Sequence, residues 1–417
     1  MHPNKKINTL LGQLASPSLP MIAPGLERVT ALLEALGNPH QHIPEVIHVA
    51  GTNGKGSICA NLTTIYSQAG LRVHRYTSPH LVVYNERIMV AGELVSDALL
   101  RECLEEVVAH IPNHPVTFFE ATTAAAFLAF SKVEADLCIL EVGLGGRLDA
   151  TNVIDKPLLT VITPVGYDHQ DYLGDDIRDI AAEKAGILKS GIPCVVAQQK
   201  PEAAEVIKGH ANTLDCRLFD SGGYWRVEGN TYQSERKVIV FDSNLEGEHQ
   251  LQNAGVTLAS VEALNQLKGW DISAKESSKA LTEVEWPGRL QQVNLKKSAA
   301  NIWLDGAHNL MGARALKTWL SEQEAPRTLA IGMLDNRDLD DYLAQLAPLC
   351  EQIIGISNFT EAETFSVEEI EQAASKFNLE YSTAKDVNHL LKQVENSKGT
   401  VLITGSLYLV GAVLAEI

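Results

Sequence analysis

Five apolar runs of strand length, at 46–49, 73–76, 137–142, 158–162 and 194–197, are separated by longer segments with helical spacing. Strands that are apolar at nearly every residue are buried on both faces, and a strand, helix, strand order returns the chain parallel to itself. The spacing predicts covering helices over 58–68, 97–110, 121–131 and 177–188, so the first part of the chain is expected to be α/β with a mainly parallel sheet. Between about 222 and 247 the rhythm changes to short alternating runs at 224–227 and 237–241, separated by Gly229-Asn230 and serine-containing turns, as in antiparallel hairpins. A helix over 251–267 follows, and Trp286-Pro287-Gly288-Arg289 carries the proline and glycine of a domain boundary.

Beyond that boundary a second α/β rhythm begins: strand 302–304, helix 311–320, strand 328–331, helix 339–347, strand 353–356, two further helices, then strand 401–404. A chain of 417 residues suits two domains at roughly 100–200 residues each. The expected boundaries are 1–286 for the larger domain and 287–417 for a smaller, doubly wound one. Ligands of such sheets sit at the carboxyl ends of the strands, where two such faces are expected to meet across a cleft.

Charge excludes several function classes. There are 52 acidic and 34 basic side chains, a net charge of −18, so a surface that tracks nucleic-acid phosphates or anionic lipid is not expected. An anionic ligand would need a local pocket of donors to overcome that field. The opening Met1-His2-Pro3-Asn4-Lys5-Lys6 lacks the apolar core of an export signal, and no apolar stretch approaches the ~18 residues of a membrane span. A cytoplasmic location is expected. Cys59, Cys103, Cys138, Cys194, Cys216 and Cys350 are scattered without Cys-x-x-Cys spacing, which points to reduced, mostly buried thiols and not to structural zinc.

The densest local signal is Ile47-His48-Val49-Ala50-Gly51-Thr52-Asn53-Gly54-Lys55-Gly56-Ser57, a strand that passes through a glycine loop into a helix. Glycines let backbone N–H groups turn toward an anion, the helix N-terminus adds positive potential, Lys55 adds a point charge and Ser57 a hydroxyl. The strict phosphate-loop pattern is broken, because Val49 stands at the first glycine position and Gly56 separates Lys55 from Ser57. Three other strands lead into polar ends: Thr77-Ser78-Pro79-His80-Leu81, Glu141-Val142-Gly143-Leu144-Gly145-Gly146-Arg147, and Tyr167-Asp168-His169. In a parallel sheet these ends share the edge of the glycine loop, where hydroxyl, carboxylate and imidazole can converge on a divalent metal. Taken singly, Ser78 reads as a turn hydroxyl, Glu141 as a paired carboxylate and His169 as a loop histidine. Lys184 reads as a solvated or salt-bridged helix lysine. Asp305-Gly306-Ala307-His308-Asn309 ends the first strand of the second domain, where Asp305 or Asn309 serves equally well as a helix cap.

Together with the run at 140–152 (LEVGLGGRLDATN), Glu183-Lys184-Ala185-Gly186 and Pro287-Gly288-Arg289, these motifs resemble the Mur-type ligase superfamily, and within it the dihydrofolate synthase/folylpolyglutamate synthase family. The order and approximate spacing match from about residue 25 to the end. The resemblance implies a P-loop-type, Mur-ligase central domain followed by a Rossmann-like Mur-ligase C-terminal domain. It implies ATP-dependent amide formation between a folate or dihydropteroate carboxylate and L-glutamate through an acyl phosphate, with ATP as co-substrate and Mg2+ as cofactor. Carried over by motif, Asn53, Gly54, Lys55, Gly56 and Ser57 hold the phosphates, Ser78, Glu141 and His169 bind magnesium, and Asn253, Arg289 and Asp305 contact nucleotide. Lys55, Lys184 and His308 are the implied catalytic residues, with Lys184 carbamylated. Thr117, Phe118, Phe119, Glu120 and Leu148 are implied for the folate or pteroate.

One departure bears on the substrate. Members that use dihydropteroate commonly carry an acidic residue shortly before Gly-Leu-Glu-Arg, whereas this chain reads Ile22-Ala23-Pro24-Gly25-Leu26-Glu27-Arg28. Glutamate addition to folate is therefore expected ahead of dihydrofolate synthase activity. The alternatives are a folylpolyglutamate synthase only, or a cell-wall Mur ligase, for which about fifty residues before Gly51 leave no room for the usual N-terminal domain. A nucleotide-binding switch would have no need of Lys55, Ser78, Glu141, His169, Lys184 and Asp305 together. The expected partners are small molecules only, and the expected state is a monomer.

Overall fold

A computed structural model describes residues 3–14, 19–20, 22–295 and 298–417. The chain divides into two compact units, Met1–Asn244 with Leu251–Val284, and Leu245–Gln250 with Glu285–Ile417. The six residues 245–250, which sequence spacing assigns to the larger domain, group with the smaller one.

The first unit is built on β1 (Val46–Ala50), β2 (Val73–Tyr76), β3 (Ile88–Val90), β4 (Glu93–Leu94), β5 (Leu137–Glu141), β6 (Leu159–Ile162), β7 (Cys194–Val196) and β8 (Leu218–Asp220). They form one sheet in the order β4-β3-β2-β5-β1-β6-β7-β8. Every pairing from β2 to β8 is parallel, and β3 and β4 extend the sheet as an antiparallel edge. All residues of β1, β2, β5 and β6 are buried, the both-faces burial that the apolar runs require. On one face the helices Asp97–His110 and Phe118–Ser131 close a core around Leu100, Leu104, Phe127 and Phe130. On the other, Ile58, Leu62 and Tyr66 of the helix Lys55–Gln68 pack with Ala259, Val261 and Leu264 of the helix Glu248–Lys268.

A separate three-stranded antiparallel sheet follows, β9 (Trp225–Glu228), β10 (Thr231–Ser234) and β11 (Val238–Val240). Its middle strand is not visible as an apolar run, because Thr231, Gln233 and Ser234 are polar. What anchors it is a carboxylate: Glu262 is buried and accepts hydrogen bonds from Tyr224 Oη, Tyr232 Oη and Ser234 Oγ at 2.9, 2.9 and 3.1 Å.

The second unit carries β12 (Gln291–Val293), β13 (Asn301–Leu304), β14 (Arg327–Ile331), β15 (Gln352–Ile356), β16 (Glu380–Ala384) and β17 (Thr400–Thr404), ordered β12-β13-β17-β14-β15-β16. All pairs are parallel except β12 with β13. Its core gathers Leu316, Trp319, Leu329, Ile331, Leu343 and Ile353. Strand β16 escapes a sequence reading because only Ala384 in it is buried. The helices Lys5–Gln13 and Glu27–Ala35, too short and mixed to stand out, each bury one face. Among the described residues no helix is long and apolar enough to cross a membrane.

Candidate active site

Because β2, β5, β1 and β6 are parallel neighbours, their carboxyl ends bring Thr77, Val142, Gly51 and Thr163 to one edge of the sheet. From β1 the chain turns at Gly54 in a left-handed conformation, φ 89°, and enters the helix Lys55–Gln68. A Cβ on Gly54 would stand 2.5 Å from Oδ1 of Asn253, so the turn closes only with glycine. Asn253, nearly buried on the long helix, therefore lies directly against the loop. Thr163 Oγ1 donates to the Asn53 carbonyl at 2.7 Å, and Thr52 N–H donates to Pro164 O at 3.0 Å, which fixes the loop to the end of β6. Ser57 is buried in the first turn of the helix.

Two lysines meet at this loop. Lys55 Nζ donates to the carbonyls of Gly51 and Thr52 at 3.1 and 3.0 Å, and Lys184 Nζ donates to the same Gly51 carbonyl at 3.0 Å. Lys184 is only 4 % exposed. Burial, and then the charge of Lys55, push its pKa down to about 7, against the pull of Asp168, Asp149 and Glu183. The solvated lysine that its residue type suggests is thus corrected. Lys184 lies on the same face as Ile177, Ile180 and Ala181 in the helix Ile177–Ala185, a three-and-four spacing that marks it as inward-facing.

The run at 140–152 is folded by its own polar groups. Asp149 accepts from Gly143 N, Leu144 N, Thr151 N and Thr151 Oγ1 at 3.0, 2.9, 3.0 and 2.6 Å, while burial pushes its pKa up. Arg147 clamps Glu183 with two bonds to Oε1 at 2.9 and 2.7 Å, which docks this loop on the helix that carries Lys184. Glu141, 5 % exposed, accepts from the Ser78 N–H at 3.3 Å, so the ends of β2 and β5 touch. His169 has a left-handed backbone, φ 52°, and its N–H donates to Asp168 Oδ1 at 2.9 Å. Among the described residues no three His, Cys, Asp or Glu side chains cluster as a metal cage. Any cation here would rest on a mixed hydroxyl, carboxylate and imidazole set.

On the other side of β5, Thr117 caps the helix Phe118–Ser131 and Glu120 reciprocates, its Oε2 accepting the Thr117 N–H at 2.7 Å. Phe118, Phe119 and Leu148 are partly exposed. The ring of Phe119 lies flush on Gly143, where a Cβ would stand 2.3 Å from Cζ. Sequence reading places Glu120 toward a pterin; in the structure its carboxylate is buried and bonded to Arg28 and Thr117.

In the second unit, Asp305 ends β13, nearly buried, with Oδ2 accepting Leu290 N–H and Oδ1 accepting Ala307 N–H, both at 2.8 Å. Arg289 Nη1 donates to Gly288 O at 3.0 Å. His308 Nδ1 lies 2.8 Å from Gly306 O, and the Asn309 side chain caps the helix Leu310–Ser321.

Residues 49–261 match the family model for the Mur ligase middle domain, and residues 289–416 match that for the dihydrofolate synthetase C-terminal domain. The chain is 35 % identical over 412 residues to the dihydrofolate synthase/folylpolyglutamate synthase of Bacillus subtilis, covering 93 % of this chain and 94 % of that one. Among solved structures it is similar to E. coli FolC in complex with DHPP and ADP, with a TM-score of 0.88, 30 % identity, and 98 % and 97 % of the two chains covered. The bifunctional folylpolyglutamate synthase/dihydrofolate synthase of Yersinia pestis, complexed with AMPPNP and Mn ion, gives 0.86 at 30 % identity, covering 98 % of this chain and 97 % of that one.

Proposed function

The chain belongs to the dihydrofolate synthase/folylpolyglutamate synthase family of Mur-type ligases, and from that membership we propose how its own residues carry out the reaction. It is an ATP-dependent ligase that adds L-glutamate to folates. A carboxylate oxygen of the acceptor attacks the γ-phosphorus of ATP, and ADP leaves. The glutamate amine, having lost a proton, then attacks the acyl carbon of the acyl phosphate, and inorganic phosphate leaves with the bonding pair.

The observation that carries this reading is the convergence of Lys55 and Lys184 on the Gly51 carbonyl at the N-terminus of a helix. Two ammonium groups on one backbone oxygen, beside N–H groups that point out of a helix end, make a site for a polyphosphate. Asn53, Gly54, Gly56 and Ser57 offer the loop to the phosphates, and Lys55 swings its ammonium from carbonyls to a phosphoryl oxygen. Lys184, with its pKa near 7, has a neutral fraction whose lone pair adds to CO2, losing a proton to give a carbamate. That exchange replaces a buried cation by an anion and removes the repulsion with Lys55.

Ser78, Glu141 and His169 suit a divalent cation: a hydroxyl after β2, a carboxylate at the end of β5 and an imidazole on the loop after β6 belong to the same sheet edge, and the Ser78 N–H already touches Glu141. When bound there, magnesium neutralises phosphoryl charge; the Mn ion and AMPPNP of the Yersinia pestis relative support this assignment. Thr117, Phe118, Phe119 and Leu148 are assigned to the flat ring of the folate, with Glu120 behind them. Asn253, Arg289 and Asp305 are assigned to the nucleotide by their motifs, and His308 to catalysis. Folate is placed ahead of dihydropteroate because Ala23 lacks a carboxylate. The enzyme is read as a cytoplasmic monomer; the six cysteines, none in a disulfide, support that compartment.

The test is phosphate release in the presence of ATP, magnesium, tetrahydrofolate and L-glutamate. Release that needs both acceptors and stops on chelation is expected, with a product heavier by one glutamyl residue. Release with a muramyl nucleotide in place of folate would overturn the reading.

A further inference from the structure

The irregular segment 22–26 packs Leu26 on the core of the sheet domain, and one charged side chain bonds it to that domain further back along the chain. Arg28, in the first turn of the helix Glu27–Ala35, donates from Nε to Glu120 Oε2 at 3.3 Å and from Nη2 to Glu120 Oε1 at 2.8 Å. The same Nη2 also donates to the Ala23 carbonyl. Glu120 is the third residue of the helix Phe118–Ser131, and its Oε2 closes the capping box with Thr117. The Glu120 side chain is 5 % exposed and that of Arg28 26 % exposed, so the pair is shielded on the carboxylate side.

We propose that Arg28 is a positioning residue for the folate acceptor: its guanidinium sets the distance between the Ala23 backbone and the Thr117–Phe119 turn, and so the slot that receives a flat ring. The inference rests on the folate assignment of Thr117, Phe118 and Phe119 made above. A fork that meets one carboxylate with two nitrogens fixes orientation as well as distance, which a lysine ammonium does not. Phe119 is pressed on Gly143 and tilted toward Tyr76 with ring centroids 6.2 Å apart, so one wall of the slot is rigid. The opposite wall, 22–26, is neither helix nor strand; Leu26 anchors one end of it on the core, and the Arg28 bond to the Ala23 carbonyl restrains the other. Glu120 accordingly acts through Arg28 and Thr117.

The experiment compares wild type, Arg28→Lys and Arg28→Met by steady-state kinetics with ATP, tetrahydrofolate and L-glutamate varied in turn, alongside thermal unfolding. The KM for tetrahydrofolate is expected to rise about tenfold to a hundredfold in Arg28→Met, the range for losing a charged hydrogen-bond pair. It should rise less in Arg28→Lys, while the KM for ATP and kcat at saturating folate stay within about twofold in both. If Arg28→Met does not fold, Arg28→Lys alone decides, since it keeps the charge and loses only the fork. Equal rises in the KM for ATP and folate, or a fall in kcat at unchanged folate KM, would overturn the positioning role. Absence of folate turnover in wild type would instead overturn the folate assignment itself.

Discussion

At the end of β1 two like charges meet on one carbonyl, whereas at the end of β13 a buried carboxylate has a backbone amide on each oxygen. Lys55 and Lys184 share the Gly51 carbonyl, and burial with mutual repulsion brings the Lys184 pKa down to about 7. Asp305 faces two backbone amides at 2.8 Å, one per carboxylate oxygen, and these tie the turn at Leu290 to the loop after β13. A satisfied ion stabilises the surrounding fold, while an ion opposed by its neighbours stores a preference for a ligand of the other sign. The difference separates a strand end whose buried carboxylate already has a partner on each oxygen from one whose lysines repel each other, the end assigned above to polyphosphate.

The largest effect is expected at the end of β1. Lys55→Ala should lower kcat at least a hundredfold, the usual cost of removing one charge contact to the transferring phosphoryl, with the unfolding transition nearly unmoved. More than about a tenth of wild-type turnover in a steady-state assay would remove the lysine from that role.

Lys184 sharpens the contrast, because activity and stability should move in opposite directions. Lys184→Met is expected to lose roughly a hundredfold in turnover, yet to be as stable as wild type or more so, since a poorly answered buried cation is replaced by an apolar chain of similar length. The amine is lost to protonation as pH falls through about 7, so carbamate occupancy at fixed bicarbonate should drop over the same range. Intact-protein mass spectrometry without acid should show an added CO2 that disappears on acidification and is absent from Lys184→Met. A chain that carries no such adduct at pH 8 in bicarbonate would overturn the carbamate.

Asp305→Asn is the matching test at the end of β13. Asparagine offers one acceptor oxygen to two amides and turns its NH2 toward the other, so an unfolding free energy lower by about 1–3 kcal/mol is expected from denaturant titration. An unchanged midpoint would show that the two amide bonds are not what holds the turn.

Much of this was legible in the residues. Apolar strand runs located β1, β2, β5, β6 and β7, because parallel strands buried on both faces leave no room for polar alternation. β4 and β8 were not foreseen, since these short strands carry exposed or half-buried residues, and β3 was not because its three apolar residues are too short a run to stand out. The glycine loop announced itself through composition. Lys184 did not, although the face it shares with Ile177 and Ile180 was readable in hindsight as a helical period. The pairing of Arg28 with Glu120 across 92 positions has no local signature at all, because it depends on where two helix N-termini come together.

The smallest effect concerns acid, and it again divides the two strand ends. His48 lies within β1, fully buried, with Nε2 2.8 Å from Thr151 Oγ1. Thr151 Oγ1 gives its own proton to Asp149 at 2.6 Å, so the ring must donate from Nε2, and Nδ1 is left without a partner. Charging the ring would put a second N–H where nothing accepts it, and burial pushes its pKa down to about 3. The unfolded chain, with a histidine near 6.5, then binds a proton that the folded chain does not. The resulting stability is complete above pH 6.5 and is lost as pH falls toward 3, about 1 kcal/mol of it by pH 5.5. His74 adds in the same direction, since its Nδ1 accepts the Ala91 N–H at 3.0 Å and burial lowers its pKa. In the second unit His249 is also lowered by burial, but there Asp305 pulls it back toward protonation. Urea unfolding at pH 7.5 and 5.5 should therefore show a loss of stability that shrinks by about 1 kcal/mol in His48→Asn. The same pH dependence in both proteins would mean that the folded chain takes up a proton at His48 over this range, and the ring would then donate from both nitrogens, with Nδ1–H finding an acceptor that the fold does not show.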